Sequence, residues 1–375
     1  MALARINVNS RILTWAINRS GRDMEEYLAN HSIVKKWIDG EKQPTLKQLE
    51  KVAKELYVPF GYFFLPTPPE ESMPIPLFRR MQNRMDINVY DTVNDMQERQ
   101  EWLCGYLRRN DFERLSFVGR HKDTDDVEGI CRTMRQVTGM PINWMMDFRT
   151  VDEALKHFTE ILESLGIIVV YNSVVGFNNS RPIEVDECRG FALVDDTAPF
   201  IFVNSRDAKS AQMFTLAHEF AHVLTGFTAG LADEDIAKTP QNEQVCDKVA
   251  ALFLVPPALL KEEWSQIGEN FEVLCKRFKV SRYVLARCAH DYNLISTEHY
   301  FKLYNKWHSE PTMTRTKKTS GGDFKRTAIK RTSRLFLIHV NNAIERNELL
   351  WMDAYRLTGM KGDTFRKVVN SEYFV

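Results

Sequence analysis

Apolar residues in the first part of the chain recur at three- and four-residue intervals and predict short helices. These are Val8–Arg19, Asp23–Asn30, Ser32–Asp39 and Leu46–Leu56, with a last turn at Pro59–Phe64. Gly40 suits the end of the third, and Pro44 with Thr45 suits the start of the fourth. Pro66, Pro68, Pro69, Pro74 and Pro76 then fall within eleven residues. Such a stretch can be neither a helix nor a central strand, so an extended, stiff connector is expected.

Beyond the connector, Asp91–Phe112, Val127–Thr138 and Val151–Ser164 carry helical patterns, the last ended by Gly166. The period then changes. Ile167–Tyr171, Gly190–Val194 and Pro199–Val203 are short runs rich in β-branched and aromatic residues, which predict strands. Asn204 to Asp207 offers cap chemistry for a helix Ala208–Thr225, which Gly226 would stop. Further helices are expected at Glu243–Leu254, halted by Pro256 and Pro257, and at Val280–Tyr292. Residues 311–322 are polar and basic and end in two glycines. Ser333–Glu345, Leu350–Thr358 and a segment from Gly362 again look helical.

Composition narrows the class. The 375 residues imply more than one core. A chain 44% hydrophobic and 27% charged is too apolar for disorder and too charged for a membrane protein. No apolar run is long enough to span a bilayer, and the first residues lack the apolar stretch of a secretory leader, so a cytoplasmic protein is expected. The six cysteines form no CxxC pair, which disfavours a cysteine zinc site and suggests buried small hydrophobes. Basic and acidic residues balance at 50 each, so the chain is no polycation. The charge is uneven, however. Residues 1–66 hold ten basic and seven acidic side chains, and residues 306–334 hold nine and two.

The densest chemistry lies inside Ala208–Thr225, where His218-Glu219-Phe220-Ala221-His222 forms an HExxH motif. Positions four apart stand about 400° round a helix, so both imidazoles share a face one turn apart. That spacing suits one zinc ion at ~2.0–2.1 Å from each nitrogen. Glu219 lies about 100° away from His218, where it suits a proton acceptor for water better than a ligand. Met213, Leu216, Phe220, Val223 and their neighbours make this helix apolar nearly all round, hence buried. A buried histidine pair and glutamate need something to satisfy them, and a metal does so. The competing reading, two solvated surface histidines, fits the apolar flanks poorly.

A catalytic zinc site needs a third protein ligand and an open position. Glu243 opens its own helix after His222, and Asp247 stands four residues further on the same face. In this ExxxD pattern Glu243 is the expected ligand. Asp247 is the expected acceptor for the outer N–H of a ligating histidine. Glu234 is the rival ligand. The pattern does not identify an oxyanion donor; His290, Tyr283 and Tyr171 are candidates only. Strand Pro199–Val203 is either an edge that pairs with an extended peptide or an ordinary buried strand.

FTLAHEFAHVLTG followed by NEQVCDKVAALFLVP resembles the ImmA/IrrE family of zinc metallopeptidases over roughly 165–257, and more loosely over 106–305. The resemblance implies zinc on His218, His222 and Glu243, with Glu219 as catalytic base. The ExxxD spacing also looks like that of thermolysin-type gluzincins. The family's known substrates are helix-turn-helix repressors, which implies a repressor or regulator as substrate here.

Residues 8–64 resemble a Cro/repressor-type (XRE) helix-turn-helix through Trp37, Gly40, Pro44, Thr45, Leu46, Leu49 and Ala53. The third helix would then present Ser32, Lys35 and Lys36 to double-stranded DNA. The turn between the second and third helices is short, and the module's excess is only three positive charges, which a homodimer would double. Docking onto protein is the other reading of this module.

The expected fold class is therefore multidomain: an all-α helix-turn-helix module, an α+β zincin-like metallopeptidase domain and a small helical C-terminal region. The expected boundaries are 1–66, a proline-rich linker 67–89, 90–305, a basic linker 306–322 and 323–375. The expected function is zinc-dependent endoproteolysis of a protein substrate. The alternative is a non-catalytic DNA-binding regulator or antitoxin-like protein with a structural or vestigial metal site. A nuclease or deaminase lacks any supporting carboxylate cluster or cysteine pattern.

Overall fold

The computed structural model describes residues 5–71, 77–78, 86–122, 124–231, 241–310, 323–372 and 374. Pro74, Pro76, Glu234 and residues 311–322 lie outside them. The chain divides into two compact units, Met1–Pro74 with Asn83–Tyr90, and Ile75–Gln82 with Asp91–Val375. No helix among the described residues is long and apolar enough to cross a membrane.

The first unit holds α1 (Ser10–Arg19), α2 (Met24–Asn30), α3 (Ser32–Ile38) and α4 (Leu46–Glu55), then a 3₁₀ turn at Phe60–Phe64. Local chemistry sets the boundaries. Asn9 and Asp23 accept from the backbone N–H of Arg11 and Glu26 at the starts of α1 and α2. Thr45 and Gln48 exchange bonds in a capping box at the start of α4. Gly40 takes a φ of +76° just past α3. Ile12, Leu13, Val34, Trp37 and Leu49 fill the core between the helices.

The second unit is built on a five-stranded mixed sheet. Its strands are β1 (Leu77–Phe78), β2 (Ile168–Asn172), β5 (Gly190–Leu193), β6 (Phe200–Asn204) and β7 (Ala229–Leu231), in the order β1-β7-β5-β6-β2. A separate hairpin pairs β3 (Val174–Val175) with β4 (Asn178–Pro182). β6 is parallel to β2 and antiparallel to β5, so both its edges are hydrogen-bonded. This corrects one expectation: the strand just before the HExxH helix is internal and offers no free edge to a peptide. β2 and β6 are buried on both faces, which explains their unbroken apolar runs. The connector is also more than a spacer, because Leu77 and Phe78 form an edge strand parallel to β7.

Helices α5 (Ile87–Arg109), α6 (Val127–Thr138), α7 (Val151–Ser164), α8 (Lys209–Thr225) and α9 (Gln241–Leu254) follow in chain order. α8 packs on β5 and β6 on one side, and on α6, α7 and α9 on others. Phe158, Phe220 and Phe253 meet with Trp144 in the core this creates. α10 (Pro257–Ile267), α11 (Phe271–Phe278), α12 (Arg282–Asp291) and α13 (Thr297–Ser309) extend the unit. Last come α14 (Phe324–Thr332), α15 (Arg334–Glu345), α16 (Trp351–Thr358) and α17 (Asp363–Val369). α14 lies on β2, and Ser333 at the start of α15 donates its hydroxyl to Glu163 of α7 at 2.6 Å. The C-terminal helices are thereby tied to α7 and packed on β2.

Candidate metal centre

The start of α8 differs from the expected cap. The N-cap is Ala208, with no side-chain bond of its own. Asn204 instead donates to the carbonyls of Ile183 and Cys188, and buried Gln212 donates back to the carbonyls of Ser205 and Asp207. The end of α8 is as the pattern implied, with Gly226 at φ +74°.

Between these ends, His218, Glu219 and His222 are completely buried, and Glu243 of α9 is 1% exposed. Nε2 of His218 lies 3.1 Å from Glu243 Oε2, and Nε2 of His222 lies 3.1 Å from Glu243 Oε1. The two Nε2 atoms are 2.9 Å apart. One atom from each of the three residues falls within 4.8 Å of the others, so His218, His222 and Glu243 could together hold a metal ion. Asp247, one turn beyond Glu243, places Oδ1 2.8 Å from Nδ1 of His218. On the other ring, Nδ1 of His222 faces Sγ of Cys246 at 3.5 Å.

The electrostatics are those of a crowded cluster of carboxylates and imidazoles. Burial pulls the His218 pKa down, but Asp247, Glu243 and Glu219 outweigh it and lift it to about 10. Burial works upward on Glu243, yet its two histidine partners bring it to about 2. His222 is lowered by burial and by charge on His218, against the pull of Glu243. Glu219 is raised well above the carboxylate range, first by burial and then by the charges of Glu243 and Asp247. Both Glu219 oxygens are buried and have no hydrogen-bond partner among the described residues. An unpaired buried carboxylate is costly, which marks it as a group held ready for something not in the protein itself.

The residues fit a divalent ion. Two imidazole nitrogens face each other closely enough for only one proton between them, and a carboxylate completes the set. Two nitrogens and one oxygen are a donor set typical of catalytic zinc.

Residues 162–289 match the peptidase M78 family model, described as the IrrE N-terminal-like domain. This IrrE-like segment contains four of the five sheet strands, β2, β5, β6 and β7, helices α8 to α11 and most of α12. The match supports a metallopeptidase-type function. Residues 332–371 match a domain of unknown function (DUF8813), which covers α15 to α17. None of the curated proteins matches the chain.

The structure thus gathers His218, Glu219, His222, Glu243 and Asp247 in one place. Ser32, Lys35 and Lys36 are exposed on α3 of the other unit, while Val34 and Trp37 of the same helix are buried. The oxyanion candidates are engaged elsewhere. Tyr171 shares a hydrogen bond with Thr159 at 2.8 Å, and His290 bonds Asp291 and Thr297. Tyr283 packs on Tyr304 and Trp307. The sequence pattern does not single out two residues at the site. Cys246 reads as one more core cysteine, although its position three after Glu243 shares the face of Glu243 and Asp247. Gly190 reads as a strand start, although glycine in a strand often signals close approach of a neighbour.

Proposed function

We propose that this protein is a zinc-dependent endopeptidase that cleaves a protein substrate, a transcriptional repressor or regulator. The fused N-terminal helix-turn-helix binds DNA or docks the substrate. One observation carries the enzymatic reading: a buried Glu219 with two unpartnered oxygens adjoins a His218, His222 and Glu243 donor set. A site with only a structural purpose has no use for that carboxylate. The peptidase M78 match supports the same reading.

His218, His222 and Glu243 would hold the ion. When bound, the ion acidifies water and polarises a carbonyl. Glu219 takes a proton from water on one of its free oxygens and later returns it to the leaving amine. Burial raises its pKa, which favours holding the proton until it is returned. Asp247 holds the ring of His218 from the side opposite Glu243.

The test is to incubate the purified chain and zinc with the transcriptional regulator encoded beside its gene, and to look for a defined fragment by mass spectrometry. Wild type should produce one, and Glu219→Gln should not. Absence of cleavage by wild type would refute this substrate assignment. An equal cut by Glu219→Gln would refute the general-base role.

A further inference from the structure

Glu243, Cys246 and Asp247 stand at positions i, i+3 and i+4 of α9, on the single face that meets the two histidines of α8. That face supplies a group to each outer ring nitrogen as well as a ligand. Asp247 lies 2.8 Å from Nδ1 of His218, and the sulfur of Cys246 lies 3.5 Å from Nδ1 of His222. Metal-ligating histidines commonly donate the outer N–H to such a partner, which fixes the tautomer.

On the metallopeptidase reading given above, we propose that Cys246 is a positioning residue: it holds His222 in the tautomer that leaves Nε2 free for the ion. The geometry supports this. The sulfur of Cys246 faces Nδ1 of His222 within hydrogen-bond distance, and no other group of the described residues bonds that nitrogen. A ring that binds an ion through Nε2 carries its proton on Nδ1, and the sulfur lone pairs stand where they can accept it. The opposite arrangement, a thiol donating to Nδ1, would put the proton on Nε2. That nitrogen would then be closed to a metal. Cys246 is completely buried, so water cannot take over its role at Nδ1.

Valine is close to cysteine in size but lacks the acceptor, and serine retains it. The tautomer of His222 is read by ¹⁵N NMR of the metal-free protein. Zinc affinity is read by competition with a chromophoric chelator. In wild type and Cys246→Ser the ring proton should reside on Nδ1, and Cys246→Ser should bind zinc within about threefold of wild type. Cys246→Val should shift the proton towards Nε2 and weaken zinc binding by about ten- to a hundredfold. If Cys246→Val does not fold, Cys246→Ala gives the same comparison. A valine or alanine variant with wild-type tautomer and wild-type affinity would overturn the proposal and leave Cys246 a packing residue. The NMR reading needs no ion, so it still decides the tautomer claim if wild type were to bind no zinc, a result that would defeat the metallopeptidase reading instead.

Discussion

Gly190 and Glu219 approach so closely that a β-carbon at position 190 would lie 3.3 Å from Oε1 of the glutamate. It would lie 2.8 Å from the carbonyl oxygen of Phe202 and 2.4 Å from Cγ2 of Thr215. The missing side chain lets β5 sit directly on the turn of α8 that carries Glu219. Gly190→Ala must push β5 and α8 apart, and backbone on the β6 side cannot yield cheaply. The expected result is a loss of roughly 1–3 kcal/mol of stability, with a fall in cleavage rate larger than the lost folded fraction explains. Thermal unfolding together with cleavage assays below the melting temperature checks this. An alanine variant with unchanged stability and rate would contradict the packing argument.

His339 of α15 is set among aromatic rings, edge-on to Tyr106 and Phe112, and its Nδ1 has no partner among the described residues. Burial lowers its pKa from 6.5 to about 4. Above about pH 6.5 the ring is neutral in both folded and unfolded chains and adds no pH dependence. Between about 6.5 and 4 the unfolded chain binds a proton that the folded chain refuses. Stability should therefore fall as pH drops through that window, by up to roughly 3 kcal/mol from this group. His339→Phe should remove that part of the slope. Urea midpoints from pH 7 to 4.5 test it, and parallel curves for the two proteins would refute it.

For the proposed DNA-binding role of the N-terminal helical module, Lys35 and Lys36 are exposed on α3. Lys35→Ala with Lys36→Ala should weaken DNA binding about equally across sequences. It should also reduce the slope of log affinity against log salt by about two. Fluorescence anisotropy over a salt series measures this. A wild type with no DNA affinity at low salt would leave docking onto protein as the module's role.

Much of the site was legible because its signals are local. HExxH sets two residues on one helical face regardless of tertiary context, and ExxxD does the same on α9. The buried character of α8 followed from apolar residues on every side. What escaped depended on packing or on residues with two roles. Pro257 reads as a stop to α9, yet it is also the first residue of α10, where proline is well suited. The polar FKRTAIKRT of α14 and NNSRP of β4 lack clear periodicity, because only Ala328, Ile329 and Thr332 of α14, and Arg181 of β4, are buried. The internal place of β6 depends on partners far along the chain that no local pattern reveals. Cys246 was hidden because a lone cysteine in an apolar helix looks like any other small core residue.

The central claim is that His218, His222 and Glu243 hold one divalent ion beside a proton acceptor that is not itself a ligand. Elemental analysis of the purified protein and its variants, after equilibration with zinc and removal of excess, tests it most directly. One zinc per chain should remain in wild type and Glu219→Gln, and be lost from His218→Ala, His222→Ala and Glu243→Ala. A wild type free of zinc, or a His218→Ala variant carrying as much as wild type, would contradict the account.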